Sequence, residues 1–289
     1  MTALTQAILA VKPGPQWDTR KLDARKLALR TLEAHRLEVR WASCEDDVRD
    51  AQRLRYRVFA QEMGAQLQVP PGTPAGLDVD RFDAFCDHLL VSAPGRGAAW
   101  GPLVGTYRVL PPAAAKRAGG LYMAGEFDIA PLASLLGRTV EMGRSCVHPD
   151  WRSGGVIMAL WTALAQYMLA HQLDTMMGCA SVGLSDGGQC AERLWRSLRQ
   201  SHLVGPQWQV QPRHALPIRP DDEPAQAALT DLSANPCEPT PPLIKGYLRC
   251  GARLLGAPAL DAAFNTADLP LMLHTHDLAP RYRKHFLGA

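Results

Sequence analysis

Apolar and polar residues alternate between Leu37 and Trp41, the period of a half-buried strand. Val48, Ala51, Leu54 and Val58 then recur at helical spacing, behind Ser43 and Asp46 in the S-x-x-D spacing of a helix cap, so a helix is predicted to run to about Glu62. A loop rich in glycine and proline, Val69 to Leu77, leads into Asp78, Asp80, Asp83 and Asp87. Strands are predicted at His88–Ser92, Val104–Leu110, Thr139–Val147 and Thr175–Val182. The helix predicted over Val156–His171 carries Ile157, Leu160, Trp161, Leu164 and Met168 as a core-facing stripe. Strand, helix, loop, three strands, helix, strand is the order of an α/β sandwich with helices on both faces of a mixed sheet. Two segments stand apart from it. Residues 1–36 form a tail and a basic helix (Trp17 to Leu37) ahead of one domain over 37–289, and prolines crowd an excursion near 206–242 with a short helix near Ala225–Ser233.

The stretch from Thr139 to Gln172 departs from plain core patterning. Glu141 and Arg144 sit inside the predicted strand, where ionised side chains need partners or a function. Residues three apart on a strand face opposite ways, but Gly143 lies between them and a glycine within a strand marks a bulge. A bulge near Met142–Gly143 turns both charges into one cleft and frees a backbone N–H to face a reacting oxygen. Arg152-Ser153-Gly154-Gly155-Val156 follows at the start of the helix, an arrangement of N–H groups and positive dipole that suits a phosphate. Acid, arginine and anion cradle together point to an enzyme taking a phosphate-bearing donor.

Composition removes the competing classes. A net charge of +3 over 289 residues, with no basic stripe carrying interleaved aromatics, argues against nucleic acid as a partner. No apolar run approaches the roughly 18 residues of a membrane span, and the N-terminus lacks the basic start of a secretion signal. The 7 cysteines are odd in number and contain no C-x-x-C pair, which speaks for a reducing, cytoplasmic setting and against a structural zinc or a disulfide framework. His274 and His276 alone do not make a metal site, so no metal is expected.

The phrases RYRVFAQEMG, DRFDAFCDHLLV, VGTYRVLP, GEFDIAPL, VEMGRSCVHPDWRSGGVIMALW, MGCASV and PPLIKGYLRCGA, in that order, resemble the acyl-carrier-protein-dependent N-acyltransferases that make ornithine-containing lipids. These are a branch of the GNAT fold close in pattern to the acyl-homoserine lactone synthases, and the resemblance runs from about Leu37 to Phe286. It implies a three-layer sandwich with a mixed, mostly antiparallel sheet. It also implies transfer of a fatty acyl group, 3-hydroxylated, from acyl carrier protein to the α-amine of ornithine. The donor is then the acyl-phosphopantetheine of the carrier, with no separate cofactor, and the lipid product leaves room for peripheral contact with the inner membrane. By the same resemblance Arg57, Asp80, Asp83, Arg108, Glu141 and Arg144 form the site. Glu141 is the expected base, Asp80 and Asp83 meet the side-chain ammonium, Arg108 or Arg144 takes the α-carboxylate, and Arg152, Gly154, Gly155 and Val156 hold the donor phosphate. That turn is one residue shorter than the general GNAT pattern, which suits a single phosphodiester. Carrier docking is expected on Arg20, Lys21, Arg25 and Lys26, and on Arg281, Arg283 and Lys284. Other acceptors (glycine, glutamine, lysine), a homoserine-lactone-type product, and a non-catalytic acyl-carrier or lipid-binding module remain open at this point.

Overall fold

The computed structural model describes residues 37–95, 100–218 and 241–287. The basic N-terminal helix with Arg20, Lys21, Arg25 and Lys26, and the short helix near Ala225–Ser233, lie outside the described residues.

One sheet organises the domain, in the order β1 (Glu38–Trp41), β2 (Asp87–Ser92), β3 (Leu103–Leu110), β5 (Thr139–Val147), β6 (Thr175–Gly183), β10 (Thr266–His274) and β8 (Arg253–Leu254), with β9 (Ala259–Asp261) also on β10. Its pairs are antiparallel except β5 with β6, which run parallel. A two-residue ribbon joins β4 (Phe127–Asp128) to β7 (Gln211–Pro212). Helix α1 (Glu45–Tyr56) covers one face, where Leu54 and Val58 pack on Cys146. The other face receives α3 (Gly155–Ala170), whose Val156, Leu160, Leu164 and Met168 meet Leu89, Val91, Val109 and Val140. Between β3 and β5 in sequence lies the short α2 (Pro112–Arg117), and α4 (Gln189–Leu198), α5 (Pro242–Cys250) and α6 (Pro280–Leu287) complete the shell. Among the described residues no helix is long and apolar enough to cross a membrane.

The expected start of α1 is corrected. Cys44 is its N-cap, and Ser43 bonds Asp47 through both its backbone N–H (2.8 Å) and its hydroxyl (3.0 Å) instead of pairing with Asp46. Past Tyr56 the helix widens into a π turn, Arg57–Glu62.

Two features open the sheet at its centre. The first is a bulge. Thr106 faces Cys146 while Arg108 faces Gly143, so β5 carries one extra residue there. Arg144 occupies it with a φ of 50°, a left-handed conformation uncommon for a residue with a side chain. The second is a splay. Strands β5 and β6 pair only over Thr139↔Thr175, Val140↔Met176 and Glu141↔Met177, and then part. Gly178 stands where they diverge, and a Cβ there would lie 2.3 Å from the Met142 carbonyl oxygen. Backbone has little room to yield, so Gly178→Ala is expected to cost about 1–3 kcal/mol, as overpacking does. Urea denaturation checks this; an unchanged midpoint would mean the vertex is softer than its contacts imply.

Candidate active site

Three arginines and three aspartates meet on the α1 face of the sheet. Arg55, fully buried, gives its Nε to Asp78 at 2.9 Å and both terminal nitrogens to Asp83 at 2.9 and 2.7 Å. Gln52 adds a bond to Asp83 at 2.9 Å. Arg108 reaches Asp80 at 2.6 Å and Asp83 at 3.0 Å, and Arg144 reaches Asp80 at 3.2 Å and lies 3.4 Å from Asp78. Against the cost of burial, Arg55 and Arg108 hold the Asp83 carboxyl well below the usual carboxylate range. The cluster is therefore charge-balanced, three against three.

This places the expected residues unevenly. Arg108, Asp80, Asp83 and Arg144 come together as the resemblance implied, but Arg57 is exposed and Arg55 holds the position in the cluster. Helical phase explains the correction: residue 55 shares a face with Ala51 and Val58, and residue 57 does not. Asp78, buried and paired with Arg55, is a member the sequence reading left out. Because Asp83 is saturated by arginines and Gln52, it offers no oxygen to a substrate ammonium, and Arg108 is similarly occupied. Arg144 is the more open cation. Its guanidinium lies 4.5 Å from the centre of the Phe264 ring and 5.2 Å from that of Tyr122.

Glu141 lies on the same side of the sheet. Its carboxylate accepts from the backbone N–H of Tyr122 at 2.6 Å and of Met123 at 2.7 Å, anchoring the turn Tyr122–Gly125 to β5. Burial pushes this carboxyl up to about 7, against the pull of those two amides and of Arg108. A carboxyl poised there exchanges protons at neutral pH. Cys146 is not a rival nucleophile, since burial lifts its thiol to about 12.

A second group of acids escaped the sequence reading. Glu126, Asp268 and Cys179 bring ligand atoms within 4.8 Å of one another, and Asp261 lies beside them. Burial, with Asp268 and Asp261 nearby, pushes Glu126 up to about 8, and burial raises Asp268 as well. The Glu126 Oε2 is sealed from solvent and has no hydrogen-bond partner among the described residues. Carboxylates crowded this way keep a proton or await a cation. Tyr122 links them to the first cluster, its ring carrying Arg144 and its hydroxyl adjoining Glu126. The signal was hidden because Asp268 sits on β10, whose Pro270 argues against a central strand.

At the donor end, α3 starts at Gly155 behind Gly154, whose φ of 100° suits glycine. Gly154, Gly155 and Val156 thus form a helix entrance as expected. Arg152 is tied elsewhere, to both oxygens of Glu62 (2.8 Å for the longer bond) and to the Val147 carbonyl at 3.1 Å. An apolar cavity runs from the splay beneath the sheet, between Met142, Gly178, Trp161, Tyr247, Leu273 and Phe286.

The Acetyltransferase (GNAT) domain family matches residues 54–162. The L-ornithine N(alpha)-acyltransferase of Agrobacterium fabrum is 36% identical over 256 residues, covering 87% of this chain and 85% of that protein. Its namesake in Rhizobium meliloti is 37% identical over 261 residues, covering 86% and 84%. Among solved structures, the AHL synthase LasI aligns with a TM-score of 0.48 and 13% identity over 88% of this chain and 95% of that one.

Proposed function

The chain belongs to the L-ornithine N(alpha)-acyltransferase family of GNAT acyltransferases, and we propose that it moves a fatty acyl group from acyl carrier protein to the α-amine of L-ornithine. The observation that carries the acceptor assignment is the uncompensated acid group Glu126, Asp261 and Asp268 beside Arg144. An amino acid with a cationic side chain satisfies both ends. Its ammonium enters among the acids and its α-carboxylate meets Arg144. The balanced Asp80–Asp83 group instead keeps Arg108 and Arg144 in place.

With the acceptor so held, its α-amine lies on the Glu141 side of the cleft. Glu141 accepts a proton from the α-ammonium, and the free amine attacks the thioester carbon. Backbone N–H groups at the Arg144 bulge stabilise the tetrahedral oxyanion. Collapse breaks the C–S bond, and the departing pantetheine thiolate takes up the proton that the amine nitrogen sheds. The carrier arm's phosphodiester sits on the N–H groups of Gly155 and Val156, which bind an anion without Arg152. The basic residues of α6, Arg281, Arg283 and Lys284, are a docking surface for an acidic carrier. The enzyme works in the cytoplasm and touches the membrane peripherally, where its product belongs.

Ornithine, lysine, glutamine and glycine offered together with an acyl carrier protein donor, read by mass spectrometry, test this reading. The expected product is Nα-acylornithine. Glu126→Gln is expected to lower kcat/KM for ornithine about tenfold to a hundredfold while discriminating less against glutamine, because a half-buried carboxylate with a sealed Oε2, unpartnered among the described residues, is gone. The wild-type kcat/KM for ornithine falls as pH drops below about 8, since protonating Glu126 removes the charge that the ammonium meets. Glycine or glutamine product in excess would overturn the acceptor assignment.

A further inference from the structure

Tyr122 opens the turn Tyr122–Gly125 and touches the site through its backbone, its ring and its hydroxyl. The backbone N–H donates to Glu141 at 2.6 Å. The ring stands 5.2 Å from the Arg144 guanidinium, which has the Phe264 ring at 4.5 Å as well. The hydroxyl adjoins Glu126, with Asp261 and Asp268 close by. The ring also meets buried Phe82 edge-on, with centres 5.8 Å apart. A tyrosine side chain turns about only two torsions. With its N–H tied to β5 and its ring set against Phe82, the phenol has little freedom.

The two ends that Tyr122 joins are fixed in their turn. Arg144 stands at the bulge of β5, with Asp80 3.2 Å away. Asp268 stands on β10 opposite Ser181 of β6 and takes a bond from the Thr266 hydroxyl at 2.9 Å. Strand β6 lies between β5 and β10, so the two backbones are at least two strand spacings apart, roughly 10 Å. An amino acid that bridges Arg144 and the acids spans a set gap, and it lies along the phenol that spans the same gap. We infer that Tyr122 determines acceptor specificity by length: its phenol oxygen closes the acid end, which leaves room for the three methylenes of ornithine and not for the four of lysine. Deleting that oxygen frees the space of about one heavy atom, the size of the extra methylene, and a close-packed site registers a change of that size. This rests on the acceptor reading above, in which Arg144 takes the α-carboxylate and the acids take the side-chain ammonium.

The test offers the full chain equal ornithine and lysine with one acyl carrier protein donor, and reads the ratio of the two Nα-acyl products by mass spectrometry. The wild type is expected to favour ornithine by about tenfold or more, the scale of one methylene in a shaped pocket. Tyr122→Phe keeps the ring beside Arg144 and the N–H on Glu141. It is expected to lower the ratio about tenfold while lysine turnover holds or rises. Tyr122→Leu removes the ring too, and is expected to raise KM for both acceptors about tenfold with kcat changed less than about threefold, because the backbone bond to Glu141 remains. Equal slowing of both acceptors by Tyr122→Phe would make the phenol a structural prop and overturn the proposal, as would a wild-type ratio near one. Either result leaves the acceptor reading standing, since the products are still acylated diamino acids. Glycine or glutamine product ahead of both, in the four-way competition above, would instead overturn the acceptor reading and this proposal with it.

Discussion

Glu141→Gln is expected to slow acyl transfer by about a hundredfold or more, the usual scale for a lost general base. The carboxylate accepts two backbone amides, from Tyr122 and Met123. A glutamine has one acceptor oxygen, so one N–H then faces an NH2 group and loses its partner. That costs about 1–3 kcal/mol and loosens the turn Tyr122–Gly125. A slow variant alone therefore does not distinguish base from anchor. The pH profile does. Because Glu141 titrates near 7, wild-type kcat falls as pH drops through that value. The variant is expected to lose this limb and to recover at high pH, where more of the amine is already free. A variant that keeps the limb while losing rate would make Glu141 an anchor only. Near-normal turnover at neutral pH would remove it from the mechanism.

The largest effect on stability is expected from Arg55→Met. Arg55 is fully buried, and its loss leaves Asp78 and Asp83, both under 8% exposed, facing each other with one arginine fewer. Removing one partner of such a pair costs about 3–5 kcal/mol, because the remaining charges stay out of water. That is a large part of the roughly 5–15 kcal/mol by which a domain is stable. Arg57→Met, two residues along and exposed, is expected to change stability by less than about 0.5 kcal/mol. Urea denaturation of the two variants side by side makes the comparison. If Arg55→Met shifted the midpoint no more than Arg57→Met does, the cluster would not hold α1 to the sheet.

These two arginines also mark how far the sequence could be read. The amphipathic spacing of α1 and α3 and the apolar runs of β2, β3, β5 and β6 came through in the pattern, because each buries one face or two against a partner. The bulge was legible as well: a charge pair at the wrong spacing, with a glycine between, required it, and the structure sets it at Arg144, one residue beyond Gly143. Arg55 was within reach, since phase alone places it beside Ala51 and Val58. The Glu126–Asp268 group was not. Its members are 142 residues apart, and they meet only because β10 pairs with β6, a non-local contact that no local pattern encodes. Helix α4 and strand β10 were missed for related reasons. The first has a glycine, Gly188, at its N-cap and takes its capping carboxylate from Asp186, two residues earlier, and the second carries Pro270 where a ladder donor belongs.

The splay has one consequence that concerns which molecules can serve as donors. Past Glu141 on β5 and Met177 on β6, the facing edges of two strands have main-chain groups and no strand between them. Facing strand edges of this kind are where an extended chain that brings its own amides can pair. A phosphopantetheine arm, the donor proposed above, brings two amide groups in an extended linker and is expected to enter as a surrogate strand. A free fatty acid, or a thioester on a short thiol without amides, has the reacting carbonyl but nothing for the walls. On the proposed reading the sheet selects its donor by backbone, before any side chain has met the acyl group.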